Sequence, residues 1–314
     1  MLVHRSDTPL ARVVDKAEFI RALAERALAK GVEIRFDQLV ESLEHGKHSV
    51  TLHTRSSYEA SDRLKAHVVL IATGVNGFLT RALGLARPRQ VLQAMQTELT
   101  FPNGDGSDIA RVYVGRSVAP EAFAWEIPLG NGRKRIGVMT SRDPEPYFAN
   151  LLRRIGVTTK PPSWRVDKKG IAQASVGPCT ADRVVAVGEA AGHVKTTTGG
   201  GIYYGLLSAA FAAEVLLNAF RKGDFSLHVL GEFERYWRTS FGAELLIGYS
   251  ARRLAGCLSD SQIERIFDAL STSNLLVRLN GRLKFDWHHK ALLAAMRSLL
   301  VMRGEYTPRS GTIH

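Results

Sequence analysis

The sequence predicts an α/β fold with an antiparallel sheet inserted into it and a helical C-terminal region, and three observations predict it. Val184, Val185, Ala186 and Val187 form an unbroken β-branched run of the kind found in a strand covered on both faces, and a triple-glycine turn then leads into a long apolar helix. Between Val91 and Thr140 the pattern changes to alternating segments separated by turn residues such as PNGDG and LGNGR. From Phe220 to about Arg303 the apolar spacing is helical.

Taken in order, Asp15 opens a D-x-x-E capping pattern with Glu18, and Phe19, Ile20, Leu23, Ala24, Ala27 and Leu28 recur at helical spacing as far as Gly31. Val32–Phe36 alternates as a strand, Val50–His53 alternates again, and His67–Ala72 reads as a buried strand ending in Thr73-Gly74. The inserted sheet is expected from Val91–Thr100, Ala110–Gly115, Ala122–Ile127 and Arg135–Thr140. Pro144–Ile155 reads as a helix broken by Pro161 and Pro162, after which the chain returns to the Val184 strand, the glycine turn and a helix from about Ile202. Residues 1–88 and 165–222 are thus expected to form one body, 89–164 the inserted sheet, and 223–314 the helical region. No internal repeat is visible.

Composition narrows the function. With 314 residues, 45% hydrophobic and 23% charged, the chain can bury a large core. Cys179 and Cys257 are too few for a disulfide framework or a CxxC metal site, and MLVHRSD is followed by no apolar leader segment. Both observations point to the cytoplasm. The apolar stretches at Leu206–Leu217 and Leu292–Met302 are interrupted by Glu214 and Arg297, short of the roughly 18–20 residues of a membrane span. The net charge is +12, yet from Arg252 onward ten Lys/Arg are spread against five Asp/Glu with no interleaved aromatics, which argues against nucleic acid. A solvated basic face or an anionic membrane surface accounts for the excess. His288 and His289 lack metal-ligand spacing with other donors, so no metal is expected.

The glycine turn carries the chemistry. Gly199, Gly200 and Gly201 let backbone approach a ligand, and the helix behind them aims free N–H groups and the positive end of its dipole at that ligand. The string from Gly188 to Ile202 resembles the second flavin-binding motif of the geranylgeranyl reductase family, within the FAD-dependent oxidoreductases related to aromatic hydroxylases. Gly188, Ala190, Ala191, Gly192, Thr198, Gly199, Gly200, Gly201 and Ile202 match a VGDAAG…TGGGI pattern, and Glu189 stands where that family has Asp. The resemblance implies an FAD/NAD(P)-binding, Rossmann-like body, with Glu189 accepting a hydrogen bond from the ribityl chain. It also implies that Thr73 and Gly74 pass near the cofactor and that Lys16 replaces an arginine near the flavin, keeping the charge but losing bidentate geometry. His193 and Lys195 fall at the cofactor end of the strand, where they either approach flavin or phosphate or face solvent.

A second segment, Phe123-Ala124-Trp125-Glu126-Ile127-Pro128 followed by Gly137, is similar to the YxWxFP…GxG pattern of the same family's isoprenoid cavity. Trp125, Pro128 and Gly137 match, while Phe123 and Ile127 replace Tyr and Phe and Met139 replaces the last Gly. A Trp beside a fixed proline bend offers a rigid apolar wall, as an ordinary sheet core also does. The resemblance runs from about Leu10 to the C-terminal helices and begins after the family's strand–GxGxxG–helix unit, which is not found here, so weak FAD binding by this chain is expected. It implies reduction of prenyl C=C bonds by reduced FAD, with NAD(P)H as candidate electron donor, an isoprenoid lipid as substrate and peripheral attachment at the inner membrane face. A flavin monooxygenase of the same fold and a non-catalytic remnant remain the alternatives.

Overall fold

The computed structural model describes residues 13–57, 62–101, 109–158, 165–272, 287–290 and 292. The expectations for Pro161, Pro162, the PNGDG turn and the helices beyond Thr272 lie largely outside these residues. Helix α1 spans Lys16–Leu28 and starts as read: the Asp15 carboxylate accepts from the N–H groups of Ala17 (2.8 Å) and Glu18 (3.1 Å). Such a cap stabilises a helix by about 1 kcal/mol. None of its residues is buried, so the apolar spacing marks a face that the described residues leave open.

Val32–Phe36 is not a strand. Alternation alone does not make one, because a strand needs a neighbouring strand to take its backbone hydrogen bonds, and this segment pairs with no strand among the described residues. The chain instead forms a meander of β1 (Gln38–His45), β2 (Val50–Ser56) and β3 (Asp62–Ala66). Then β4 (Val69–Ile71) enters the core and α2 (Phe78–Ala82) follows.

Five strands build the second sheet: β5 (Arg87–Thr100), β6 (Arg111–Val114), β7 (Phe123–Gly130), β8 (Arg133–Thr140) and β9 (Asp167–Val176), in the order β6-β7-β8-β5-β9. It extends past the boundary expected at residue 164, because β9 pairs antiparallel with β5 along most of its length. Helix α3 (Glu145–Arg154) covers one face, where Phe148, Leu151 and Leu152 pack on Met95, Leu99, Ile136 and Val138.

The chain then returns through β10 (Thr180–Ala181) to β11 (Val184–Ala186), which pairs parallel with β4: Val184 with Val69, Val185 with Leu70, Ala186 with Ile71. A 3₁₀ turn (Gly188–Ala191) leads to α4 (Ile202–Lys222), ended by Gly223 in the left-handed conformation. Helix α4 is long and apolar enough to cross a membrane by length and composition, but Tyr204, Ser208, Ala212, Val215 and Ala219 place one face of it in the core. Around it lie α5 (Leu227–Leu230), α6 (Glu232–Trp237), a π turn (Arg238–Gly242), α7 (Ala243–Gly256) and α8 (Asp260–Thr272).

Candidate functional site: a glycine cradle against an apolar sheet

Strands β4 and β11 are parallel and neighbouring, so their carboxyl ends deliver two turns to one place: Thr73-Gly74 after β4 and Gly188–Gly192 after β11. Ligands of open parallel sheets bind outside such ends. A Cβ on Gly74 would stand 3.4 Å from Glu189 Oε2, so the Glu189 carboxylate lies against the first turn while its backbone belongs to the second. Lys169 on β9 closes on the same oxygen at 2.9 Å. The N–H of Gly188 donates to Ser208 Oγ (3.1 Å), which ties the start of the turn to α4.

The triple-glycine turn is held by its own backbone, with Lys195 N–H donating to Gly200 C=O (2.9 Å) and Gly199 N–H to Lys195 C=O (2.7 Å). Gly199 has φ +75, and a Cβ there would meet Met139 Sδ at 3.1 Å and Ile171 Cγ2 at 3.2 Å. The turn therefore rests directly on the five-stranded sheet. Gly200 differs, because a Cβ on it would make only ordinary contacts, 3.6 Å to Thr198 Oγ1 and 3.7 Å to Lys195 Cε. Thr198 and Gly200 are exposed, and no side chain caps the N-terminus of α4 behind them. A 21-residue helix with uncapped first N–H groups presents a positive dipole end to whatever fills the cradle.

Across from the turn, the face of the sheet opposite α3 carries the apolar segment. Trp125 pairs with Gly137 across β7 and β8, and its ring lies where a side chain at 137 would be: a Cβ on Gly137 would fall 2.3 Å from Trp125 Cζ2. The two sequence matches are thus one structural unit. Phe123 is tilted against Trp125 at 5.7 Å between ring centroids. By strand alternation Ile127 shares their face and Pro128 faces the α3 side, so Pro128 shapes the strand end instead of the wall. On β9, Ile171 touches Gly199, and Gln173 on the same face is fully buried with neither amide atom partnered among the described residues.

Three further residues singled out in the sequence take the following places. Lys16 lies exposed in the first turn of α1 and no described contact joins it to the cradle, although Asp15 beside it is near enough to Arg135 of β8 to feel its charge. His193, directly after Gly192, turns its ring into the core, fully buried among Phe233, Trp237 and Phe241, with Nδ1 2.9 Å from Ser208 Oγ, so it does not face solvent. Burial pushes its pKa down to about 3, so the ring is neutral. Lys195 is buried too, and its Cε lies 3.7 Å from the position a Cβ on Gly200 would take.

A cavity of about 360 Å³ was not legible in the sequence. It opens between β6, β7, α7 and α8, is lined by Phe123, Arg252, Ala255, Ile263 and Phe267 among others, and reaches Thr197 of the cradle loop. Its volume falls within the roughly 300–1,000 Å³ of small-molecule sites. Arg252 in its wall is buried, donating from Nη2 to Gln90 Oε1 (2.8 Å) and from Nη1 to Glu121 C=O (3.3 Å). Among the described residues no cluster of His, Cys, Asp and Glu could hold a metal ion.

Two parallel strands ending in glycine turns, a carboxylate between them and an uncapped helix define a dinucleotide-type cofactor site of an α/β oxidoreductase. The chain belongs to the FAD dependent oxidoreductase family (DAO), whose model matches residues 8–218. It is 26% identical over 284 residues to digeranylgeranylglycerophospholipid reductase 1 of Methanothermobacter thermautotrophicus, covering 85% of this chain and 71% of that one. It is also 26% identical over 246 residues to an uncharacterized protein of Methanocaldococcus jannaschii, covering 75% and 62%. Among solved structures, a geranylgeranyl bacteriochlorophyll reductase-like protein from Thermoplasma acidophilum superposes with TM-score 0.74 at 22% identity, over 82% of this chain and 67% of that one. That likeness shows the fold. This chain spans between 62% and 71% of the length of the two relatives.

The residues present fit the flavin end of FAD. The exposed Gly200 leaves room for a flat ring, α4 offers uncapped N–H groups, and Glu189 supplies an acceptor between the two turns.

Proposed function

We propose that this protein acts in the FAD-dependent reduction of C=C bonds in a prenyl chain of geranylgeranyl type. One observation carries the reading: the glycine turn that receives the cofactor rests on the same sheet face that bears the Trp125–Gly137 wall, through Gly199 against Met139 and Ile171. An apolar chain lying along Phe123 and Trp125 would reach the cofactor without crossing a polar boundary, and the cavity at Thr197 extends that path. The chemistry supplied by reduced flavin is hydride transfer to an alkene carbon, with a proton added at its neighbour.

The chain's own residues position and exclude water. Gly199 fixes the turn against the sheet, Ser208 holds Gly188, and the flat Trp125 ring offers apolar surface with no group that needs a buried partner. NAD(P)H is the proposed electron source. The relatives' names support a prenyl lipid, and the net charge of +12 suits attachment to an anionic membrane surface, proposed at the cytoplasmic face.

The test is product analysis. Incubation of flavin-loaded protein, a chemical reductant and a prenyl lipid without oxygen should add pairs of hydrogens to the chain by mass spectrometry. Oxygen-dependent insertion of an oxygen atom, with no anaerobic reduction, would instead assign a monooxygenase of the same fold.

A further inference from the structure

We infer that Lys169 is a cofactor-binding residue, whose ammonium neutralises Glu189 so that the groove between β9 and the two strand-end turns accepts the phosphate-bearing stem of a flavin. The inference rests on the FAD reading above. Three segments meet at this point: the Thr73-Gly74 turn, the Gly188–Gly192 turn, and β9. The Glu189 carboxylate, carried by the second, lies against the first, with Oε2 3.4 Å from the position of a Cβ on Gly74, and Lys169 Nζ reaches the same oxygen from the third at 2.9 Å.

Burial separates the roles of the pair. The Glu189 side chain is 17% exposed and that of Lys169 50%, so the acid lies inside the junction and the cation at its rim. Lys169 pairs with Ala94 in the β5–β9 register and by alternation shares the face of Ile171, which touches Gly199. One strand of the substrate sheet therefore contacts both ends of the cradle.

A carboxylate at this place creates a problem for an anionic ligand. Left bare, Glu189 would repel the phosphate attached to a ribityl chain, and half-buried charges are little screened by salt. Paired with Lys169, it keeps its acceptor oxygens for ribityl hydroxyls while the pair itself carries no net charge. The extra methylene of Glu over Asp is what lets one carboxylate stand against the Gly74 turn and still meet Lys169, so the departure at position 189 and the lysine at 169 belong together.

Riboflavin and FMN share ring and ribityl chain and differ in the phosphate, so they separate charge from shape. Binding of each to the full chain is read by flavin fluorescence quenching at low ionic strength. Lys169→Met should weaken FMN by about tenfold or more and riboflavin by less than about threefold, a difference of about 0.7 kcal/mol or more. Adding Glu189→Gln in the same chain should restore most of the FMN affinity, because no bare carboxylate remains. Circular dichroism and thermal melting confirm that the variants fold. Equal loss of both ligands in Lys169→Met, or a double variant no better than the single one, overturns the inference. If the unaltered chain binds neither ligand, the flavin reading fails and this inference with it.

Discussion

Gly199 and Gly200 are neighbours in sequence and are expected to fail in opposite ways when substituted. At Gly199 the backbone has φ +75, which costs an L-residue roughly 1–2 kcal/mol, and a methyl group would press on Met139 Sδ at 3.1 Å and Ile171 Cγ2 at 3.2 Å. Overpacking of this kind costs about 1–3 kcal/mol, so Gly199→Ala should lose about 2–5 kcal/mol of stability. At Gly200 no left-handed strain exists and the nearest atoms stand at 3.6 and 3.7 Å. Gly200→Ala should leave stability within about 1 kcal/mol, and the loss of a flexible glycine can even stabilise. The bulkier Gly200→Val places its branches on the exposed side of the turn, where the flavin ring is expected to lie against backbone. Thermal melting and flavin titration of the same samples separate the cases. Gly199→Ala should melt about 4–8 °C lower. Gly200→Val should melt near the parent and lose flavin affinity by about tenfold or more, which is about 1.4 kcal/mol. Retention of flavin affinity by a folded Gly200→Val protein would falsify the placement of the cofactor on this turn.

The wall and the core give further predictions. Trp125→Ala should slow turnover of a long prenyl substrate more than reduction of the flavin by its donor, and stopped-flow measurement of the two half-reactions checks it; equal slowing counts against Trp125 as a substrate residue. Gly137→Ala should displace the indole and also lower the melting temperature, because a Cβ there would stand 2.3 Å from the Trp125 ring and 2.8 Å from the Met95 carbonyl oxygen. His193 is held neutral with its pKa down at about 3 against 6.5 when unfolded, so its contribution to stability is complete above pH 6.5 and is lost as the pH falls toward 3. At about 1.4 kcal/mol per unit that loss is of the order of 4–5 kcal/mol, and His193→Phe should flatten the acid limb of a stability-versus-pH curve.

The cradle was legible because glycines and β-branched runs encode backbone geometry locally. The Val184–Val187 run, the Gly188–Gly192 turn and the helix from Ile202 all stand where the spacing put them. Strand β9 was missed because DKKGIAQASV alternates a lysine, an isoleucine, a glutamine and a serine on one face, which reads as polar until the cradle is seen to cover it. Conversely, Val32–Phe36 has the right alternation and no partner strand among the described residues. The burial of His193 depends on Phe233, Trp237 and Phe241, some forty residues further along, and no local pattern announces such a shell. The cavity escaped for a related reason: Ala255, Ile263 and Phe267 have the same helical spacing whether they fill a core or border a void.

Strand β9 joins the two halves of the site. Its Lys169 meets Glu189, its Ile171 meets Gly199, and its Ser175 would lie 2.7 Å from a Cβ on Gly192, so three residues of one strand touch three positions of the flavin motif. The same strand pairs with β5, which pairs with β8, whose Gly137 lies beneath Trp125. On the proposed reading, cofactor and substrate are therefore not held by separate bodies that must find each other. A shift of the sheet by one residue would invert its faces, carrying Trp125 and Ile171 to the α3 side together. The distance from the glycine turn to the Trp125 wall is accordingly set by strand register, a quantity that packing fixes tightly. If the proposed reduction is this chain's activity, positioning is what its own residues supply, by holding one apolar wall and one glycine turn on a single rigid ladder.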